Sequence, residues 1–276
     1  MLPMQRGFNS ILPDWPDLPA GIGAMATTRA GGVSTGVYDD GQGGGGLNLG
    51  LHCGDDALAV EHNRARLQQA LPARPAWVSQ VHGIAVVDAA RVQAGQPVLV
   101  ADASIATRPG VVSAVMTADC LPVLFADVDG KVVGAAHAGW RGLAAGVLGE
   151  TVAAMRAAGA GDISAWLGPA IGPSRFEVGA EVADSFLAAA RGAQEQAQVR
   201  AAFQPVAVSG PGSGPGSGNP GKFLADMYAL ARCFLARDGV TSVAGGTDCT
   251  VSDPDRFYSY RRDHVTGRQA TLIWIK

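Results

Sequence analysis

Apolar positions along this chain fall into short β-type runs and longer stretches with helical spacing. Trp77–Val87 and Val111–Met116 are rich in β-branched residues and predict strands, as do Val123–Ala126 and Val132–Ala136. From Leu143 the period changes. Leu143, Val147, Leu148, Val152 and Met155 recur at helical spacing, which predicts an amphipathic helix opening directly after Trp140-Arg141-Gly142. An earlier helix is predicted over Asp55–Leu71, acidic at its start, with Leu58, Leu67 and Leu71 on its apolar face. Further on, the pattern predicts a strand at Ile163–Leu167, helices from about Val178 to Ala190 and over Phe223–Arg237, and strands at Val240–Ala244 and Ala270–Ile275. Residues 1–54 read as loops and short strands, with Gly41–Gly46 nearly all glycine. Strands mixed with helices imply a layered α/β (α+β mixed) architecture.

The segment Val208–Gly221 carries Gly-Pro-Gly-Ser-Gly-Pro-Gly-Ser-Gly, which offers no side chains to a core and is expected to be a flexible surface loop. Residues 222–276 are too few for a comfortable separate domain, so the expectation is one domain over 1–276. Hydrophobic residues make up 47% of the 276 and charged residues 16%, which suits a compact core and argues against disorder. A net charge of −3 gives no electrostatic footprint for nucleic acid. Met1–Ile11 lacks the basic start and continuous apolar stretch of a signal peptide, and no run approaches the roughly 18 apolar residues of a membrane span. The four cysteines show no paired spacing. The cytoplasm is the expected location, with no membrane partner.

Three segments carry candidate chemistry: Ser79-Gln80-Val81-His82-Gly83, Thr117-Ala118-Asp119-Cys120-Leu121-Pro122 and Ala136-His137-Ala138-Gly139-Trp140-Arg141-Gly142. Each places one metal-competent or nucleophilic side chain at or just beyond a strand-like run. Two imidazoles and one thiolate are the protein half of an open zinc site, and the gaps between them match no zinc-finger pattern. The Gly139–Gly142 turn adds a candidate anion site in Arg141, beside a helix start. Thr27–Gly32, with Arg29, and Tyr258–Asp263, with Arg261 and Arg262, are two further candidate anion loops. Alone, the Arg141 turn reads equally well as a surface ion pair on an ordinary turn, and the other two loops read better as solvated charged loops. Asp119 stands next to Cys120, either as a general acid or base or as a group that orients a histidine. His52, His62 and His264 read as ordinary surface or hydrogen-bonding residues.

At these same segments the chain closely resembles the YfiH-like, laccase-domain family. The similarity extends through Thr28–Ser34, Leu47–Gly50, Gly54–Asp56, Asn63-Arg64, Leu167–Ile171, Cys249-Thr250, Ser259–Arg262 and Thr266–Arg268. The resemblance implies one zinc ion, in preference to copper, bound by His82, Cys120 and His137, which are also the implied catalytic residues. It implies a layered α/β/β/α fold and phosphorolysis of adenosine, inosine, guanosine and methylthioadenosine, with adenosine deamination as a side activity. The partners would then be purine nucleosides and phosphate. Arg29, Arg141 and Arg261 are nominated to hold phosphate, and Asn48 and Gln80, within matching motifs, to bind substrate. Gly41–Gly46 departs from the family pattern and reads as an insertion at the pocket edge.

Three rivals use the same residues differently. A multicopper laccase needs many more imidazoles than the five histidines present. A metal-free thiol hydrolase would use Cys120 as nucleophile and His137 as base on an amide or a cell-wall peptide. A non-enzymatic binding protein with a vestigial site would keep the motifs without turnover.

Overall fold

A computed structural model describes residues 7–207 and 218–276. The Gly/Pro/Ser loop expected over Val208–Gly221 lies outside the described residues as far as 217. Its last four positions belong instead to the strand Gly218–Ala225.

Two sheets are stacked between helical layers. One is five-stranded, in the spatial order Ser10–Ile11, Ile22–Thr27, Gln269–Ile275, Val112–Thr117, Pro75–Ala76. The other is six-stranded, in the order Val243–Gly245, Ile163–Leu167, Leu121–Asp127, Val133–Ala138, Ala103–Ala106, Val86–Asp88. Helix Ala57–Gln68 lies on the five-stranded side, and Val147–Ala157, Ala180–Ala189 and Met227–Arg237 lie on the six-stranded side. This is the α/β/β/α order expected. A small sheet of Glu177–Gly179, Gly218–Ala225 and Phe203–Ala207 flanks the helices.

The strand Leu121–Asp127 shows why the layers hold. Successive side chains of a strand point to opposite faces. Leu121, Val123 and Phe125 therefore pack against the helices, with Leu148, Val152 and Leu230 in the same cluster. Leu124 and Ala126 face the other sheet, where Ala24, Ala26, Val115 and Ile273 meet them. Every residue of this strand is buried. Removing Phe125 or Leu124 from water contributes about 1.5–3 kcal/mol each.

Several elements differ from the sequence expectation for identifiable reasons. Trp77–Val87 is not one strand. It starts just after Pro75–Ala76 of one sheet and ends within Val86–Asp88 of the other, and the residues between cross from sheet to sheet. Leu143–Met155 has the predicted buried face, but Gly146, at φ 105°, breaks it into helices Trp140–Ala145 and Val147–Ala157. Leu58 is 80% exposed; the helix Ala57–Gln68 turns Val60, Asn63 and Leu67 inward instead, and Asp56 caps its start. Phe223–Ala225 extend a strand before Asp226 caps the helix Met227–Arg237. The helix Gly192–Ala201 was not foreseen, because its only buried side chains are Glu195 and Val199. The region read as loops and short strands includes the six-residue, fully buried strand Ile22–Thr27. No helix among the described residues is long and apolar enough to cross a membrane.

Candidate metal centre

The site sits where the chain passes between the two sheets. His82 lies on the crossing from Pro75–Ala76 to Val86–Asp88, and Cys120 on the crossing from Val112–Thr117 to Leu121–Asp127. His137, next to last in Val133–Ala138, is paired with Pro122, two residues past Cys120. Two tight turns at one end of the sandwich therefore face a strand end.

Both turns carry a left-handed residue that is not glycine: His82 at φ 62° and Asp119 at φ 94°. Such conformations persist where neighbouring contacts over-determine them. Around His82 the agent is Asp102, which is fully buried. Its Oδ1 accepts the His82 backbone N–H at 2.9 Å, and its Oδ2 accepts those of Val81 and Gly83 at 3.2 and 2.7 Å. Around Asp119, the Thr250 hydroxyl donates to Oδ1 and the Arg261 backbone N–H donates to Oδ2, each at 2.6 Å. Asp119 thus ties the Cys120 turn to the 250 and 261 segments. It does not orient a histidine.

That orienting task belongs to Asp102, which sequence reasoning missed. His137 Nδ1 donates to Asp102 Oδ1 at 2.8 Å, so Nε2 is the nitrogen left to face Cys120 and the site. One carboxylate thereby fixes the turn that carries His82 and the ring of His137. The signal in the sequence was a single acidic residue ahead of the apolar strand Ala103–Ala106, in a segment with no motif of its own.

The ligand atoms of His82, Cys120 and His137 all lie within 4.8 Å of one another, so the three could hold a metal ion. Cys120 Sγ is 3.5 Å from His82 Nε2, and the two imidazole rings meet edge-on with centroids 4.7 Å apart. Gly139 makes room for this: a Cβ there would stand 2.5 Å from His82 Cδ2 and 3.1 Å from Cys120 Sγ. Burial pushes the Cys120 thiol up, but the charge and hydrogen bond of His137, then those of His82, prevail and bring it down to about 6. Burial likewise lowers His137, and the Cys120 charge together with the Asp102 bond outweighs it, raising the imidazole to about 9. Both shifts favour a thiolate–imidazolium pair. The donor set fits a thiophilic divalent ion: a thiolate ready to ligate, and an imidazole held by a carboxylate at its far nitrogen.

A cavity of ≈ 570 Å³ opens on the triad, lined among others by His52, Val78, Met116, Tyr260 and Arg268. Of the substrate residues expected from sequence, Gln80 lines it, with both ends of its amide bonded to the Met116 backbone. Asn48, Arg29, Arg141 and Arg261 do not line it. Asn48 is fully buried and bonds Asp55, Gly50 and Arg268. Arg29 is buried, with its guanidinium donating to the carbonyls of Asp39 and Pro254. Arg141 is exposed and stacked 4.4 Å over the Trp140 ring. Arg261 donates to the Glu177 carbonyl and lies over Phe176. Gly41–Gly46 folds around Asp39 and Asp40, whose carboxylates accept the N–H groups of Gly41, Gln42 and Gly44, and it too stays off the cavity lining. His52, Tyr260 and Arg268 enter the cavity instead, brought there by the 50s turn and the C-terminal segment.

Residues 23–276 match the family described as multi-copper polyphenol oxidoreductase laccase. The chain belongs to this YfiH-like, laccase-domain family. It is 51% identical over 266 residues to a purine nucleoside phosphorylase of Pseudomonas aeruginosa, covering 96% of this chain and 98% of that one. It is 48% identical over 269 residues to the purine nucleoside phosphorylase YfiH of Escherichia coli, with the same coverages. A Neisseria meningitidis crystal structure superposes with a TM-score of 0.81 at 47% identity, covering 97% of this chain and 99% of that one. YlmD from Geobacillus stearothermophilus superposes with a TM-score of 0.75 at 31% identity, over 95% of this chain and 94% of that one.

Proposed function

We propose that this chain is a zinc-dependent purine nucleoside phosphorylase acting on adenosine, inosine, guanosine and methylthioadenosine, with adenosine deamination as a side activity. The observation that carries the reading is the triad His82, Cys120 and His137 at the floor of a cavity of ≈ 570 Å³, in a chain whose relatives are named purine nucleoside phosphorylases. The donor set favours zinc: no further histidine cluster stands near the triad among the described residues to build a multinuclear copper site. Held by His82, Cys120 and His137, the ion would supply a Lewis acid to the cavity.

The chain's own groups account for the rest. Val78, Met116 and the exposed ring of Tyr260 give the cavity apolar and aromatic surface suited to a purine face. Arg268 is the guanidinium that lines the cavity, and it takes over the phosphate role first assigned to Arg29, Arg141 and Arg261. In phosphorolysis a phosphate oxygen bonds to the anomeric carbon while the C–N bond to the base breaks, and the base leaves with the bonding pair and gains a proton. Asp102 keeps His137 Nδ1–H engaged, so the ring presents a fixed nitrogen to the site throughout. The test is zinc content together with chelator-sensitive, phosphate-dependent release of free base; stoichiometric zinc without such release would refute it.

One observation favours a second reading. The lowered Cys120 thiol, the raised His137 and the Asp102 bond also form a nucleophile–base–carboxylate series. A thiol hydrolase acting on an amide or a cell-wall peptide would use it without metal. Turnover that persists after zinc removal and is blocked by Cys120 alkylation would select that reading.

A further inference from the structure

The metal-competent cavity does not end at its own walls. A second cavity of ≈ 380 Å³ adjoins it, sharing His52, Val78, Ser79 and Met116 as common lining. The second space is lined by Arg64 and Arg74, with Trp77 and Glu61. Counting Arg268 in the first cavity, three guanidiniums face the joined cleft against one carboxylate.

These arginines are not committed to carboxylates. Among the described residues, Arg64, Arg74 and Arg268 take no part in an ion pair. Arg64 donates to the Leu49 carbonyl and lies 4.9 Å over the Trp77 ring, a stack that leaves it held at one site. Burial lowers Arg64, and the nearby Arg74 lowers it further against the pull of Glu61. Burial also lowers His52, reinforced by Arg268 on one side and Arg64 on the other. The guanidiniums of Arg268, Arg64 and Arg74 therefore line the joined cleft, with His52, whose charged form its surroundings disfavour, shared by both cavities. Holding like charges together costs free energy unless an anion joins them.

We propose that Arg64 and Arg74 form an anion subsite one cavity away from the triad, taking a phosphoryl group carried on the substrate. The proposal rests on the phosphorylase reading only for the nucleoside part of that substrate. A tetrahedral phosphate dianion matches the fork of a guanidinium and would neutralise the pair. Free phosphate has the same chemistry and is the alternative source. Tyr260 and Met116 would then hold the base between the triad and these guanidiniums.

The experiment titrates zinc-loaded protein calorimetrically at low ionic strength, where screening is weak. Three probes are used: adenosine, adenosine 5′-monophosphate and inorganic phosphate. The proteins are wild type, Arg74→Gln and Arg64→Lys. Arg74 is exposed, so its replacement should not disturb folding; Arg64→Lys keeps the charge but loses the fork. The expected result is monophosphate binding at least about tenfold tighter than adenosine, with most of that advantage lost in Arg74→Gln, as for a charged hydrogen bond. Weakened binding of inorganic phosphate in both variants, without any monophosphate advantage, would keep the subsite and assign it to free phosphate. If neither ligand's affinity responds to either substitution, the proposal is overturned. Adenosine turnover with phosphate is read in parallel on wild type; its absence would count against the phosphorylase reading and leave the subsite result standing.

Discussion

Asp102→Asn isolates the group on which the whole site depends. The carboxylate accepts four N–H donors, from Val81, His82 and Gly83 in one turn and from His137 Nδ1. An amide of the same shape keeps one acceptor oxygen and turns the other into a donor. In one orientation it confronts the N–H groups of Val81 and Gly83. In the other it confronts those of His82 and His137, and His137 must then move its proton to Nε2, the nitrogen the metal needs. Each buried donor left without a partner costs about 1–3 kcal/mol, so two of them put the expected loss of stability at about 2–6 kcal/mol. A carboxylate behind a ligating histidine is worth about 10–100-fold in metal affinity. The sign with pH also follows. Burial pushes Asp102 up, but its bonds to His137 and to the turn hold it below the ordinary carboxylate value. Its contribution is therefore full above the unfolded value of about 4 and is lost as pH falls through the depressed one, so wild type and variant converge in acid. Urea unfolding from pH 3 to 8, with zinc affinity by chelator competition at pH 7.5, measures both effects. An Asp102→Asn protein that binds zinc within twofold of wild type and unfolds at the same urea concentration would refute the reasoning.

Other expectations concern the triad and its turns. In metal-free protein the alkylation rate of Cys120 should fall as pH drops through about 6 and stay level above it, with zinc abolishing the reaction; a rate that keeps rising to pH 9 would show an ordinary thiol. Gly139→Ala should weaken zinc binding by about tenfold or more, because the atoms nearest to its Cβ belong to His82 and Cys120; unchanged zinc affinity in competition assays would contradict this. His82→Ala, Cys120→Ala and His137→Ala should each lose zinc yet retain native circular dichroism, since the layers pack without them. Retained zinc in Cys120→Ala with lost turnover would turn the argument toward the nucleophile.

Where burial alone decides a pattern, the sequence was readable. Leu143, Val147, Leu148, Val152 and Met155 recur at helical spacing because each packs against the six-stranded sheet. The three ligand-bearing segments stood out because each places a His or Cys where an apolar run ends. What stayed hidden depended on contacts between distant residues. Trp77–Val87 has the composition of a strand, yet Asp102, 19 to 21 residues further along the sequence, takes the N–H groups of Val81, His82 and Gly83 and turns the segment between sheets. Arg29 and Asn48 carry side chains suited to ligands, but their partners are backbone and carboxylate groups inside the fold. Arg268 and Tyr260 reach the cavity only because the C-terminal strand Gln269–Ile275 lies at the centre of its sheet and brings the preceding residues beside the triad. Leu58 shows the limit of counting apolar residues: the buried polar Asn63, bonded to Ser34, Gly46 and Asn48, fixes which helix face turns inward.

The central claim is that the triad and its cavity break the glycosidic bond of a purine nucleoside with phosphate. Purified protein, assayed for bound zinc and then incubated with adenosine with and without phosphate, tests it directly by chromatography of adenine and ribose 1-phosphate. The account predicts about one zinc per chain, with both products formed in equal amounts only when phosphate is present, and neither formed by Cys120→Ala. Zinc-loaded protein that releases no adenine with phosphate, or releases it equally without phosphate, would contradict the account.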